Sequence, residues 1–139
     1  MATYTKYLLG IEKMMEAGNA GTDTWQVILS NTAPTVATDT TAASATELGT
    51  AGGYTAGGNN CAITSAVSTA GVYKLILVDP AVWTANGGGF TFRYVILYNL
   101  SLTQCIAYWD YGTAVVMNGT NGDTFFADLD GAAGVFTVT

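Results

Sequence analysis

The sequence predicts an all-β fold: an antiparallel β-sandwich, jelly-roll-like, with about eight strands and an N-terminal amphipathic helix arm. Three observations carry that expectation. After the first helical segment no stretch keeps a helical period, while short alternations of apolar and polar residues recur. Turn signals separate them, as at Asn118-Gly119, Gly122-Asp123 and Asp130-Gly131. Charged residues make up only 10% of the chain, against about a quarter in ordinary soluble domains. Thr, Ala and Gly fill the difference and suit strands and turns.

The first segment, Tyr4 to Ala17, has Tyr4, Tyr7, Leu8, Ile11 and Met15 at helical spacing. Lys6, Glu12, Lys13 and Glu16 lie elsewhere on the wheel. Thr3 or Thr5 can cap the start, and Gly18-Asn19 ends it. Such a stripe must be buried, either on the sheet or on another chain. Gly18-Asn19-Ala20-Gly21 reads as a flexible junction. The division is therefore a helical arm over 1–21 and a sandwich domain over 22–139 that should fold without it. The five apolar residues of the stripe are the candidate partner-binding residues.

Trp25, Val27 and Leu29 alternate as a strand. Asn31 to Asn60 is a long Thr/Ala/Gly loop, with Thr46-Glu47-Leu48 as a short edge strand. Val72–Val78 is apolar on both faces and reads as a central strand, ended by Asp79-Pro80. Phe90, Phe92, Tyr94, Ile96 and Tyr98 form one stripe, with Thr91, Arg93, Val95 and Leu97 opposite. Further strands are expected at Gln104–Asp110, Thr113–Met117, Thr124–Leu129 and Val135–Val138.

Charge and residue types exclude several functions. Ten carboxylates face only Lys6, Lys13, Lys74 and Arg93. Four scattered cations make no patch for phosphates or for an anionic membrane surface, so neither nucleic acid nor membrane is expected as a partner. No run of about 18 apolar residues is present. Tyr7–Ile11 is too short for the core of a signal peptide and is followed by Glu12 and Lys13, so assembly in a cytoplasm is expected. Histidine is absent, which removes the commonest general base. Asp110, Asp123, Asp128 and Asp130 read as turn residues and strand ends rather than a glycosidase pair. The oxygen-rich Asn118–Asp123 segment departs from the EF-hand pattern in spacing and lacks the distal Glu. The glycine runs are not followed by a Lys-Ser/Thr pair. No enzyme activity, cofactor or metal is therefore expected. Cys61 and Cys105 read as small buried side chains. The many aromatics are first of all core residues. Any that face outward could anchor a protein interface or stack on a sugar, and the sequence does not distinguish which.

Several stretches together carry a family resemblance. They are Leu29-Ser-Asn-Thr-Ala-Pro34, Glu47-Leu-Gly-Thr-Ala-Gly-Gly-Tyr-Thr-Ala-Gly-Gly58, Tyr73-Lys-Leu-Ile-Leu-Val-Asp-Pro80, Val82-Trp-Thr-Ala-Asn-Gly-Gly-Gly-Phe90, Phe92-Arg-Tyr-Val-Ile-Leu-Tyr-Asn99 and Tyr108-Trp-Asp-Tyr-Gly112. In this order the chain resembles a family of small virion structural proteins of tailed bacteriophages, similar to capsid cement or decoration proteins. The resemblance implies a virion component with no catalytic residues to carry over. The stretch Asn99–Gln104 is shorter and more apolar than the family's polar loop. A cement role implies the major capsid protein and further copies of the chain as partners, with a homotrimer the expected closed assembly at threefold positions. The helix and the Asn31–Asn60 loop would be its grips. Alternatives are a tail, adaptor or fibre-associated subunit, or a carbohydrate-binding module.

Overall fold

Strand β7 (Phe90–Asn99) is the axis of the molecule, because its aromatic and branched residues are buried on both faces from Tyr94 onward. The computed structural model describes residues 2–139. In it β7 pairs with β2 (Trp25–Ser30) on one side and β8 (Gln104–Met117) on the other. β1 (Thr3–Lys6) and β3 (Asn59–Cys61) form the outer edges, giving a five-stranded antiparallel sheet in the order β1-β8-β7-β2-β3. A second antiparallel sheet holds β4 (Ile63–Thr69), β5 (Val72–Leu77) and β10 (Phe136–Val138), with β5 in the centre. A third pairs β6 (Trp83–Thr84) with β9 (Thr124–Phe125). One helix, α1 (Leu8–Ala17), accompanies them among the described residues. The fold is thus all-β and sandwich-like with an N-terminal helix.

The core lies between the two larger sheets. Trp25, Val27, Leu29, Val95 and Leu97 from the first meet Leu75, Leu77 and Phe136 from the second. Trp83 and Phe125 stack at 5.9 Å, with Tyr54 and Phe92 against them. The other face of the five-stranded sheet carries Ile28, Ile96, Tyr98 and Cys105. The 31–48 loop crosses that face and covers it with Val36, Ala42 and Ala45.

Several sequence expectations are corrected by local geometry. The stripe on β7 does not keep one face. Phe92 opposes Val115 but Tyr94 opposes Asp110, a register shift at Arg93. The register moves by three residues there, and β7 changes face across the irregularity. Phe92 therefore shares the intersheet core with Val95 and Leu97, while Ile96 and Tyr98 face the 31–48 loop. The two strands expected at Gln104–Asp110 and Thr113–Met117 are one, β8, bent at Gly112 (φ 79°). Thr46–Leu48 makes only an isolated bridge from Glu47 to Ser30. Of Thr124–Leu129, only the first two residues are strand.

The N-terminal segment differs most. Thr3 to Lys6 is strand, not helix, and pairs with Ala107–Asp110 of β8. Its Thr-Tyr-Thr-Lys-Tyr alternation satisfies a two-residue period as well as a helical one. Tyr4 faces Trp109 and the second sheet, and Tyr7 faces Ile96 and Cys105. Thr3 and Thr5 are strand residues and cap nothing; Tyr7 is the cap position and makes no side-chain cap bond. Helix α1 ends at Gly18, whose N–H donates to Met14 O at 3.2 Å. The segment docks on its own domain, the first of the two placements the amphipathic pattern leaves open. The 21/22 division is therefore not a packing boundary. Backbone pairing of β1 and full burial of Tyr7 tie residues 3–17 to the sheet.

Candidate interaction surface

Helix α1 is held on the sheet at its inner side. Tyr7 N–H donates to Ile106 O at 3.0 Å and Leu8 N–H to Val36 O at 3.1 Å. Gly10 lies so close to β8 that a Cβ there would strike Cys105 O. Met14 is buried in the intersheet core, and its sulfur lies 3.5 Å from Asn99 Nδ2. These contacts fix which face of α1 looks out.

The outward face is still apolar. Leu8 and Met15 stand seven positions apart, on one side of the helix, and are 62% and 67% exposed. Ile11 lies between them and is partly buried against the core. Beside Met15 a hollow of about 240 Å³ runs to the second sheet, lined by Met14, Ala20, Tyr73, Phe136 and Val138. A helix that needed only to cover its own sheet would carry polar residues at positions 8 and 15.

The five expected partner-binding residues thus separate. Leu8 and Met15 are presented outward. Ile11 is shared between core and surface. Tyr7 is wholly buried and meets Tyr108 edge-on at 5.7 Å. Burial, with Cys105 and Asp39 nearby, pushes its hydroxyl well above the ordinary tyrosine range. Tyr4 is 37% exposed but turns to the opposite face of the sheet. Leu9, 38% exposed, was not in the periodic stripe. Neither were Val67 and Val116, at 56% and 69%; Val67 lies between Ala66 and Ser68 and Val116 between Val115 and Met117, and neither setting marks an outward apolar residue.

The 31–60 loop, expected as a second grip, is fastened to its own domain. Glu47 Oε1 accepts from Tyr54 Oη at 2.6 Å and from Gly57 N–H at 2.6 Å. Leu29 N–H of β2 in turn donates to Tyr54 Oη at 3.1 Å. Cys105 N–H donates to Thr40 O at 2.5 Å. Gly58 (φ 62°) sits where a Cβ would strike Val27 O. The Gly-Gly-Tyr-Thr-Ala-Gly-Gly run is therefore a seam between backbones rather than a mobile tether.

The carboxylates weighed for chemistry are scattered. Asp110 pairs with Arg93 at 2.7 and 2.9 Å, and this hydrogen-bonded pairing holds its carboxyl below the ordinary aspartate value. Asp123 accepts from Asn118 N–H, and Asp130 from Ala132 and Ala133 N–H, as turn residues do. Asn118 Oδ1 accepts from Thr120 N–H, so this side chain closes its own turn. No group of three or more His, Cys, Asp or Glu side chains suited to a metal occurs among the described residues. Cys61 and Cys105 are buried free thiols, each pushed up to about 12, chiefly by burial. No described helix is long and apolar enough to cross a membrane. No family model, curated protein or solved structure matched the chain in comparison.

Proposed function

We propose that this chain is a non-catalytic structural subunit of a tailed-phage virion, acting as capsid cement that grips the major capsid protein through the outward face of α1. The observation that carries the reading is the second apolar side of that helix. Its inner side is occupied by β8, yet Leu8 and Met15 remain exposed, Met15 beside an apolar hollow. Low surface charge supports it, since few ions need to be desolvated when such a face is covered. The stretches between Leu29 and Gly112 that resemble virion proteins set the setting. A homotrimer would present three copies of the strip in one rigid body, so that modest contacts gain avidity.

The test is a Leu8→Asp/Met15→Asp double variant added to particles that lack the protein. Bound copies per major capsid protein should fall steeply, with the oligomer mass and circular dichroism unchanged. Wild-type occupancy by the variant would sink the reading. Electron microscopy fixes the location: copies confined to the tail would replace cement by the tail, adaptor or fibre-associated role.

A further inference from the structure

The sandwich has an open side between its edge strands β1 and β10, and one wall of that opening is aromatic. Tyr4 and Trp109 are direct cross-strand partners, with ring centroids 5.3 Å apart and planes tilted by 58°. The Tyr4 hydroxyl donates to Val135 O at 3.0 Å and ties the two edges together. Beside that tie lies a hollow of about 280 Å³ bordered by Lys6, Trp109, Asp128 and Asp130. A second hollow of about 200 Å³ shares Trp109 and Asp128 with the first and adds Tyr111. Tyr111 is itself held edge-on by Phe92 and Phe125, both at 5.9 Å. The two adjoining hollows form a trench bordered by the rings of Tyr4, Trp109 and Tyr111 and by the carboxylates of Asp128 and Asp130, together with Lys6.

That pairing of surfaces selects a ligand class. A purely apolar ligand would strip water from Asp128 and Asp130 without replacing its hydrogen bonds. A nucleotide would bring phosphate against those carboxylates and against a chain of net charge −6. A pyranose ring has a C–H face that packs on an aromatic ring and a rim of hydroxyls that donate to carboxylates. We infer that the trench between β1 and β10 binds a neutral glycan, with one sugar ring on Trp109 and its hydroxyls donating to Asp128. Acidic sugars are disfavoured, because Asp128 and Asp130 outnumber the one cation of the lining, Lys6, in a chain of net charge −6. The rings are already fixed by the register of β1 on β8, so binding orders little that is not ordered beforehand. The trench is a different surface from the α1 grip: its rings, Tyr4, Trp109 and Tyr111, lie on β1 and β8, and of the residues around the hollow beside Met15 only Phe136 also borders it.

Trp109 gives a direct readout. Trp25 and Trp83 are 1% and 3% exposed, so acrylamide quenching in the folded full chain reports mainly on Trp109. The protein is titrated with cellohexaose, maltohexaose, chitohexaose and mannohexaose, and with an oligogalacturonate as the acidic counterpart. At least one neutral hexasaccharide should shield Trp109, with Kd of about 1 mM or tighter, and the oligogalacturonate should not. Trp109→Ala should weaken calorimetric binding about tenfold or more. Asp128 is on the surface, so Asp128→Ala should keep the fold and still weaken binding several-fold. No shielding by any neutral sugar overturns the inference. So does equal binding by the oligogalacturonate, or unchanged affinity in the Asp128→Ala protein.

Discussion

The Glu47–Gly58 loop and helix α1 look alike in sequence as ways to reach a neighbour, one through glycine freedom and the other through an apolar stripe. In the fold they part. The loop is bound at Glu47, Tyr54 and Gly58 to strand β2, with carbonyls packed where side chains would stand. The helix is bound on one side only and leaves Leu8 and Met15 in solvent. Glycine enrichment here marks close backbone contact, not mobility. The apolar residues left exposed on a helix whose inner face is already covered are what the proposed grip rests on.

The sharpest way to break this comparison is to add one methyl group to the loop. Gly58→Ala must both hold φ at 62° and displace Val27 O. Gly52→Ala, at φ 62°, meets Gly89 O in the same way. Left-handed backbone costs about 1–2 kcal/mol and overpacking about 1–3 kcal/mol more, so urea denaturation should show losses of about 2–5 kcal/mol. Gly57→Ala is the control: φ is 97° but nothing lies within 4 Å, so only the backbone cost remains. Equal losses at Gly57 and Gly58 would mean that the seam is not tightly packed.

Next in size is Tyr54→Phe. It leaves the Leu29 N–H and the Glu47 carboxylate without the hydroxyl that joins them. A buried group left unpaired costs about 1–3 kcal/mol. The loss should appear in the denaturation midpoint and in faster amide exchange at Leu29. If Tyr54→Phe is neutral, the loop is held by glycine packing alone.

The helix should give the opposite result. Leu8→Ala and Met15→Ala should each change stability by no more than about 0.5 kcal/mol, whereas Met14→Ala should cost about 2–5 kcal/mol. The unequal cost of truncating adjacent residues Met14 and Met15 separates core from surface on one turn. A large loss at Met15 would show that the outer strip belongs to the domain's own core.

The sequence made some of this legible. Period-two alternation located β2 and β7, the two-sided apolar run Val72–Val78 located β5, and the Asp79-Pro80 stop placed the end of that central strand. Three features lay beyond it. Thr3–Tyr7 fits both periods, and only the neighbouring edge of β8 decides for strand. The shift at Arg93 is a pairing property of β7 and β8 together, where Arg93 meets Asp110 17 positions on, invisible in either strand alone. Which aromatics face out depends on that same register, so the trench formed by Tyr4, Trp109 and Tyr111 could not be read from a list of rings. The stripe named Leu8 and Met15 correctly as helix residues, but it could not separate them from Tyr7, whose burial needs the 31–48 loop laid across the sheet.

The smallest expected effect concerns the bend where Arg93 and Asp110 meet. The Arg93 guanidinium, and then the Gly112 N–H, hold the Asp110 carboxyl below its ordinary 3.8. A carboxyl lowered on folding stabilises the fold above its unfolded pKa, and that contribution is lost as pH falls through the lower folded value. The wild-type protein should therefore lose stability below about pH 4 more steeply than Asp110→Asn, whose side chain does not titrate. The two stability curves should be parallel at neutral pH and converge on acidification. Both charges are at the surface, so the separation is small and should shrink further with added salt. Asp130, lowered chiefly by the Ala133 and Ala132 N–H groups with only a lesser contribution from the Lys74 charge, supplies the contrast. Asp130→Asn should likewise reduce the acid slope, with a weaker salt dependence. Identical salt responses in the two variants would mean that the Arg93 charge does not set the Asp110 pKa, and that the bend is held by the Gly112 turn alone.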